Sequence, residues 1–449
     1  MIMLEPNLLR KKLRFNQKSD SVLLPKWIDV FIFLYFLTLS AELIHFQIGL
    51  FKPRLNHAIA LVLLCIICKY QKKWELDWRL AKPFLAVFAS MFISCLFGEH
   101  FFRSFGYLFV YLYTILCYFV LPLALFQIYA REKLLKLYLF SFLVLGIYAF
   151  SQVFCSFYGL ILPFVTQYTE GVARGQGWNY EPSYYALWMT QFVMYYNAYS
   201  LLETEKTFSW FRFGIVNSLL VISTSTGVVF SYPIFALIYT LAGISKITSI
   251  YMLNVKKKVI QFLSFFIGIM GLIWLSFPKQ FIDTFYKFFE YGFKNHGCFM
   301  IRWTGIVNAT MIFLKKPLLG VGIGGIGPYL YKQIENGAIA QTLPEIEKYD
   351  PTNALTEIFA SLGLVGAICY FFLFRAFWRL FIHCMDKKVA MPLSEKRKIL
   401  SLFISLVVSM IVLQFNQGLF RSYLWVHAAI FWSYANSVLA QFNINESDL

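Results

Sequence analysis

Apolar runs of about 17 to 25 residues recur along the chain, each closed off by charged or by glycine- and proline-containing segments. From residue 27 onward they fall at 27–48, 55–70, 83–98, 107–130, 137–160, 184–202, 212–223, 227–244, 259–277, 354–380, 399–419 and 424–440. Lipid offers the backbone no hydrogen-bond partner, so runs of this kind predict transmembrane helices. The seventh and eighth are the least separated, with only the polar "STSTG" (223–227) between "FGIVNSLLVI" and "VVFSYPIFALIYTLAG". Merging them would put "VKKK" (255–258) and "DKKVAMPLSEKRK" (386–398) on the opposite side from the other basic segments. The pattern therefore predicts an all-α polytopic membrane protein of about twelve spans with both termini on one side.

Two intervening segments on the other side are long. One, about 161–183, ends in "RGQGWNYEPSYYALW" (174–188). The other, 278–353, is the only region large enough for a small helical subdomain outside the membrane. Its first part spaces Phe281, Phe285, Phe289 and Phe293 four apart, giving one apolar helical face suited to a bilayer surface or to capping the bundle. A second helix is expected over about 300–314, ending before Pro317. The following "PLLGVGIGGIG" (317–327) is too glycine-rich for a stable helix, and a flexible turn is the plain expectation. The chain then divides into a basic N-terminus (1–26), spans one to nine (27–277), the long loop (278–353), spans ten to twelve (354–440) and a short C-terminus (441–449).

Composition agrees with this pattern. Hydrophobic residues make up 59% of the chain and charged residues only 14%, and the mean hydropathy is +0.62; a soluble domain of that balance would expose too much apolar surface. The formal net charge of +17 is explained by where it sits. "LRKKLRFNQK" (9–18), "KYQKKWELDWRLAK" (69–82), "REKLLK" (131–136) and the two segments named above all fall on the N-terminal side. The short opposite segments carry only Lys52, Arg54, Arg103, Arg174 and Arg421. That asymmetry is the positive-inside pattern, so both termini are expected to be cytoplasmic and a nucleic-acid partner is not implied. Most of the eight cysteines lie in predicted spans, so no disulfide framework follows. Cys65 and Cys68 read as core. The first span is too long for a signal peptide and lacks a small-residue cleavage site, so it is expected to be a retained anchor. His296 has no second histidine at ligand spacing, so no metal is expected.

The remaining polar residues collect on the outer side. Arg174 and Glu181 flank a glycine-containing turn, with Pro182 suited to the first turn of span six. Glu181 can serve there as a helix-entry acid or as a base that accepts a substrate hydroxyl proton. Arg174 suits bidentate phosphate binding. Arg302 stands beside Trp303 at a helix start; Lys315 and Lys316 read as C-terminal helix charges. Gly320, Gly322 and Gly325 satisfy GxGxxG, but they follow a helix rather than a strand and fall on the outer side, which argues against a dinucleotide site. Asp350, Asn353 and Glu357 meet at the mouth of span ten. Asp350-Pro351-Thr352 is a plausible cap, and Gly363 and Gly366 permit close helix packing. An acid two turns into a span, as Glu357 is here, is a functional candidate. Glu42 and Arg421 fall near the same boundary: Glu42 is expected to snorkel to headgroups, Arg421 to join the other arginines. The set fits an anionic, membrane-embedded substrate approached from outside the cytoplasm.

The order of these motifs resembles the bacterial O-antigen polymerase and ligase superfamily. An arginine-containing loop closes on "EPS", "STSTG" separates two short spans, and "RW…PLLGVGIGG" is followed by "TNALTEIFASLGLVG". The likeness covers roughly residues 170–440. It implies a GT-C-like, metal- and cofactor-independent glycosyltransferase of the bacterial cytoplasmic (inner) membrane, using an undecaprenyl-diphosphate-linked oligosaccharide. Its implied partners are membrane lipids and, in the same pathway, a chain-length regulator and a flippase. Ligases of the superfamily carry histidine before asparagine where this chain has Thr352-Asn353, which favours a polymerase. The resemblance then implies Arg174, Arg302 and Arg421 on the diphosphate and Asn353 on the glycan, with Glu181, Asp350 and Glu357 competing for the base. A ligase of the same superfamily and a lipid-linked oligosaccharide flippase are the alternatives.

Overall fold

The computed structural model describes residues 25–45, 54–71, 77–169, 172–202, 209–223, 225–245, 255–276, 298–337, 353–415 and 421–442. The described chain is predominantly α-helical, with one two-stranded antiparallel ribbon, β1 (Tyr168–Thr169) and β2 (Val172–Ala173). The helices are α1 (Trp27–Leu37), α2 (Leu55–Tyr70), α3 (Trp78–Phe97), α4 (Phe101–Ile128), α5 (Arg131–Phe157), α6 (Pro182–Leu202) and α7 (Trp210–Val221). They continue with α8 (Thr226–Ile244), α9 (Val255–Ser276), α10 (Cys298–Lys315), α11 (Ile326–Glu335), α12 (Ala354–Met385), α13 (Leu393–Val412) and α14 (Ser422–Gln441).

Every apolar run read from the sequence carries a helix. The polar "STSTG" is a true break, since α7 stops at Val221 and α8 starts at Thr226. Among the described residues, four helices, α3, α4, α5 and α12, are long and apolar enough to cross a membrane. The surface helix expected from Phe281, Phe285, Phe289 and Phe293 lies outside the described residues.

Helix α13 packs along α6 and α8, α12 along α3 and α10, and α1 along α5. Helices α6 and α14 are buried on nearly all sides and form the centre of the bundle. Trp188 of α6, fully buried, stacks on Phe142 of α5 with ring centroids 4.2 Å apart. Helices that are apolar all round are the ones a bundle can enclose in this way.

Helix α12 is broken at Gly363, whose φ of 63° and ψ of −161° no other residue type adopts readily. The break opens backbone groups on both sides, and the loop 317–322 satisfies them. Val321 N–H and Gly322 N–H donate to Ala360 O and Ser361 O, while Leu364 N–H and Val365 N–H donate to Pro317 O and Leu318 O. Ser94 Oγ lies 2.6 Å from Leu319 O and 2.7 Å from Ser361 O, tying α3 to the same point. The glycine-rich stretch is therefore a backbone clamp, not a flexible turn. A side chain at Gly320 would meet the Ser361 backbone at 2.4 Å, so glycine is required for the approach itself.

Around this clamp sits a second, smaller apolar cluster, Ala309, Ile312, Val321, Ile326, Tyr329, Leu330 and Ala360, separate from the main core. It unites α10, the clamp, α11 and the first turns of α12. Lys316 and Lys332 both reach Glu99, in the α3–α4 turn, at 3.2 and 3.3 Å.

Candidate active site

The turn leading into α6 is built from buried polar side chains. Gln152 of α5 donates through Nε2 to Gly177 O and accepts through Oε1 from Gly177 N–H at 2.9 Å. Gln176 accepts from Thr166 and donates to Asn179 O, and both Gln176 and Asn179 are fully buried. These bonds fix the backbone that carries Glu181, although the buried Asn179 Oδ1 has no partner among the described residues. Glu181 O accepts from Tyr184 N–H and Tyr185 N–H, which places Glu181 at the entry of α6. Its half-buried carboxylate accepts a hydrogen bond from Ser183 Oγ at 2.9 Å.

Tyr184, on the first turn of α6, meets Arg421, whose guanidinium lies 3.7 Å from the centre of its ring. Stacking of this kind suits a planar guanidinium. Tyr184 is also within electrostatic reach of Glu181 and Glu42. Arg421 Nη1 donates to Glu42 Oε1 at 3.0 Å, and Arg54 Nη1 donates to the same oxygen at 3.3 Å. The Glu42 side chain is only 7% exposed. Glu42 does not reach out to headgroups; it sits inside, holding two arginines, because a buried carboxylate requires such partners.

The other expected residues are distributed around this centre. Arg174 donates through Nε to Ser223 O at 3.2 Å and through Nη1 to Gln167 Oε1 at 3.0 Å, and so ties its own loop to the end of α7. Asn353 is the cap of α12: its side-chain oxygen accepts from Thr356 N–H at 2.9 Å and its Nδ2 donates to Gln414 O at 2.9 Å. Asp350 lies outside the described residues. Glu357, half-buried, stands on the part of α12 before the Gly363 break, so it belongs to the short piece that precedes the break rather than to the long one that follows it. Arg302, half-buried on α10, forms no ion pair among the described residues. Glu181 and Arg421 are thus joined through Tyr184, Asn353 and Glu357 share the first turn of α12, and no described contact links Arg302 to either group.

Sequence reading missed Arg54, Tyr184 and Tyr423 in this region. Arg54 and Glu42 are twelve positions apart with a loop between them, and neither aromatic differs by spacing from its many neighbours. Beneath Arg421 the bundle opens into an apolar groove of about 500 Å³ between α12, α13 and α14. Phe374, Trp378, Phe403, Met410, Leu424 and Trp425 are among its walls. Leu424 N–H donates to Arg421 O at 3.2 Å, so the arginine and the groove are one helical turn apart. Gln414, which bonds Asn353, also donates to Met410 O at the groove wall.

Among the described residues no cluster of His, Cys, Asp or Glu is arranged to hold a metal ion. The fold and the site define a helical, membrane-type protein with a charged cluster set over an apolar groove. No protein-family model matches the chain, and no curated protein matches it.

Proposed function

We propose that the protein polymerises lipid-linked oligosaccharide repeat units on the outer side of a bacterial cytoplasmic membrane. In this reading the chain crosses the membrane twelve times with both termini in the cytoplasm, and the 278–353 segment forms a GT-C-like outer subdomain. The observation that carries the proposal is Arg421: it stacks on Tyr184 beside Glu181, one helical turn from the groove walls Leu424 and Trp425. A cation set over an apolar cleft matches an amphiphile with an anionic head and a hydrocarbon tail, which is the chemistry of undecaprenyl diphosphate.

Those positions support the following reaction. A sugar hydroxyl of the incoming unit attacks the anomeric carbon of the growing glycan. The bond from that carbon to the diphosphate oxygen breaks, its electron pair leaves with undecaprenyl diphosphate, and the hydroxyl proton passes to Glu181. Arg421 stabilises the charge that develops on the leaving diphosphate. Arg302, with no ion pair among the described residues, supplies a second cation, while Arg174 holds the loop that carries Glu181. Asn353 and Glu357 line the acceptor side, and no metal or nucleotide sugar takes part.

The candidate residues Glu42, Arg54, Glu181 and Arg421 gather around Tyr184, which supports transfer over transport, while a second ion-pair cluster, Arg131, Glu132, Glu395 and Lys398, lies at the other end of α14. A flippase would line a path on both sides of the midplane. Deleting the gene in its host separates the readings. A polymerase loss leaves single repeat units at the surface, a flippase loss leaves none, and a ligase loss leaves polymer unattached to its acceptor. Glu181→Gln and Arg302→Ala, at normal expression, are expected to behave as the deletion; full-length polymer from either would overturn its assigned role.

A further inference from the structure

Tyr423 is 2% exposed, and its hydroxyl has no hydrogen-bond partner among the described residues. A buried hydroxyl left unpaired is destabilising, so such groups in a folded protein call for an explanation. This one sits inside the charged cluster, within electrostatic reach of Arg421, Glu42, Tyr184 and Arg54. In that cluster one carboxylate oxygen, of Glu42, faces two guanidiniums at 3.0 and 3.3 Å. Arg421 is held on one side by the Tyr184 ring and on the other by Glu42, so its orientation is fixed before any ligand arrives. Two guanidiniums and a hydroxyl donor together form the set of groups that binds a phosphate oxygen.

We propose that Arg54, Arg421 and Tyr423 bind the phosphate of a polyprenyl diphosphate, with Glu42 as the positioning residue that holds the two guanidiniums. Resting on the polymerase reading, this adds residues that neither spacing nor motif order pointed to. Tyr423 directly precedes Leu424 and Trp425, which wall the groove, on the first turn of α14.

The test uses the full-length protein in detergent micelles and geranylgeranyl diphosphate as the probe, with binding followed by thermophoresis. Geranylgeraniol, inorganic pyrophosphate and phosphatidylglycerol are the comparison ligands. The diphosphate is expected to bind, the alcohol to bind far more weakly, and pyrophosphate to compete. Tyr423→Phe removes only the unpaired hydroxyl, so it is expected to melt at or above the wild-type temperature while its Kd for the probe rises about tenfold or more. Arg54→Ala is expected to weaken binding in the same direction. Wild-type affinity in Tyr423→Phe overturns the proposal, as does phosphatidylglycerol competing as well as the probe. If the probe binds as described but lipid-linked units are not polymerised, the polymerase reading fails and the phosphate site stands. If units are polymerised and Tyr423→Phe binds normally, the site alone fails.

Discussion

Replacing Gly363 with alanine perturbs the point where α12 breaks and the clamp loop crosses it. At φ 63° and ψ −161° a residue with a side chain is strained by about 1–3 kcal/mol. The added Cβ would also lie 2.3 Å from Leu318 O and 2.4 Å from Leu318 C. These are backbone atoms, so the clash is relieved only by moving the loop. Moving it stretches the bonds from Leu364 N–H to Pro317 O at 2.7 Å and from Val365 N–H to Leu318 O at 3.2 Å. Leaving one of these donors unmade costs about 1–3 kcal/mol, so with the strain the expected loss is about 2–6 kcal/mol. That is a large share of a typical stability of about 5–15 kcal/mol. Gly106, exposed on α4 with nothing within 4 Å of an added Cβ, is the control, where alanine is expected to gain about 0.5–1 kcal/mol. Thermal unfolding of the purified protein in detergent, followed by loss of the monodisperse size-exclusion peak, reads both. Gly363→Ala should melt far below wild type and Gly106→Ala at or above it. Equal melting of all three would refute the clamp and the placement of Glu357 that depends on it.

Glu42→Gln removes the shared partner of Arg54 and Arg421; with Arg54 35% exposed, the cost should be about 2–3 kcal/mol, below the ~3–5 kcal/mol of a fully buried pair, and is read as a lowered melting temperature. Asn353→Ala loses the α12 cap and the tie to Gln414, and about 1–2 kcal/mol of stability is expected to go with them; Asn353→Ser, which keeps a capping oxygen, should recover part of that loss in the same melt. Burial pushes the Glu99 carboxyl up, but Lys316 and Lys332 outweigh it and hold it below its usual range. A lowered folded value means that the ion pair stabilises fully above the unfolded carboxyl value of about 4.3 and fades as pH falls through the folded value. The melting difference between wild type and Glu99→Gln should therefore be constant from pH 7 to 5 and vanish in more acidic solution, and a difference that grew on acidification would contradict the pairing. The effect is small, because all three side chains are partly exposed.

Helix positions were legible because they depend on local runs of apolar residues and on local stops. Pro182 opens α6, and the polar stretch from Ser223 ends one helix before the next begins. The glycine stretch was correctly read as non-helical, but its rigidity was not legible. That rigidity comes from Ala360, Ser361 and Gly363, some forty residues further along the chain. Gly363 read as a packing glycine, whereas it is the break itself, a distinction set by φ and by the loop that crosses it. Glu42 was misjudged for the same reason. Its partner Arg421 is 379 residues away, and no pattern near Glu42 announces a buried arginine. The apolar groove was equally hidden, since its walls come from three helices and each reads alone as an ordinary aromatic-rich span.

In the proposed function this chain joins lipid-linked glycan units. Purified protein, reconstituted in vesicles with undecaprenyl-diphosphate-linked repeat units and no nucleotide sugar or added metal, is the direct measurement, with products resolved by size. A ladder of products differing by one repeat unit is expected, with undecaprenyl diphosphate released in step and both lost in Glu181→Gln. Repeat units that stay single, or that cross the vesicle membrane without lengthening, would contradict it.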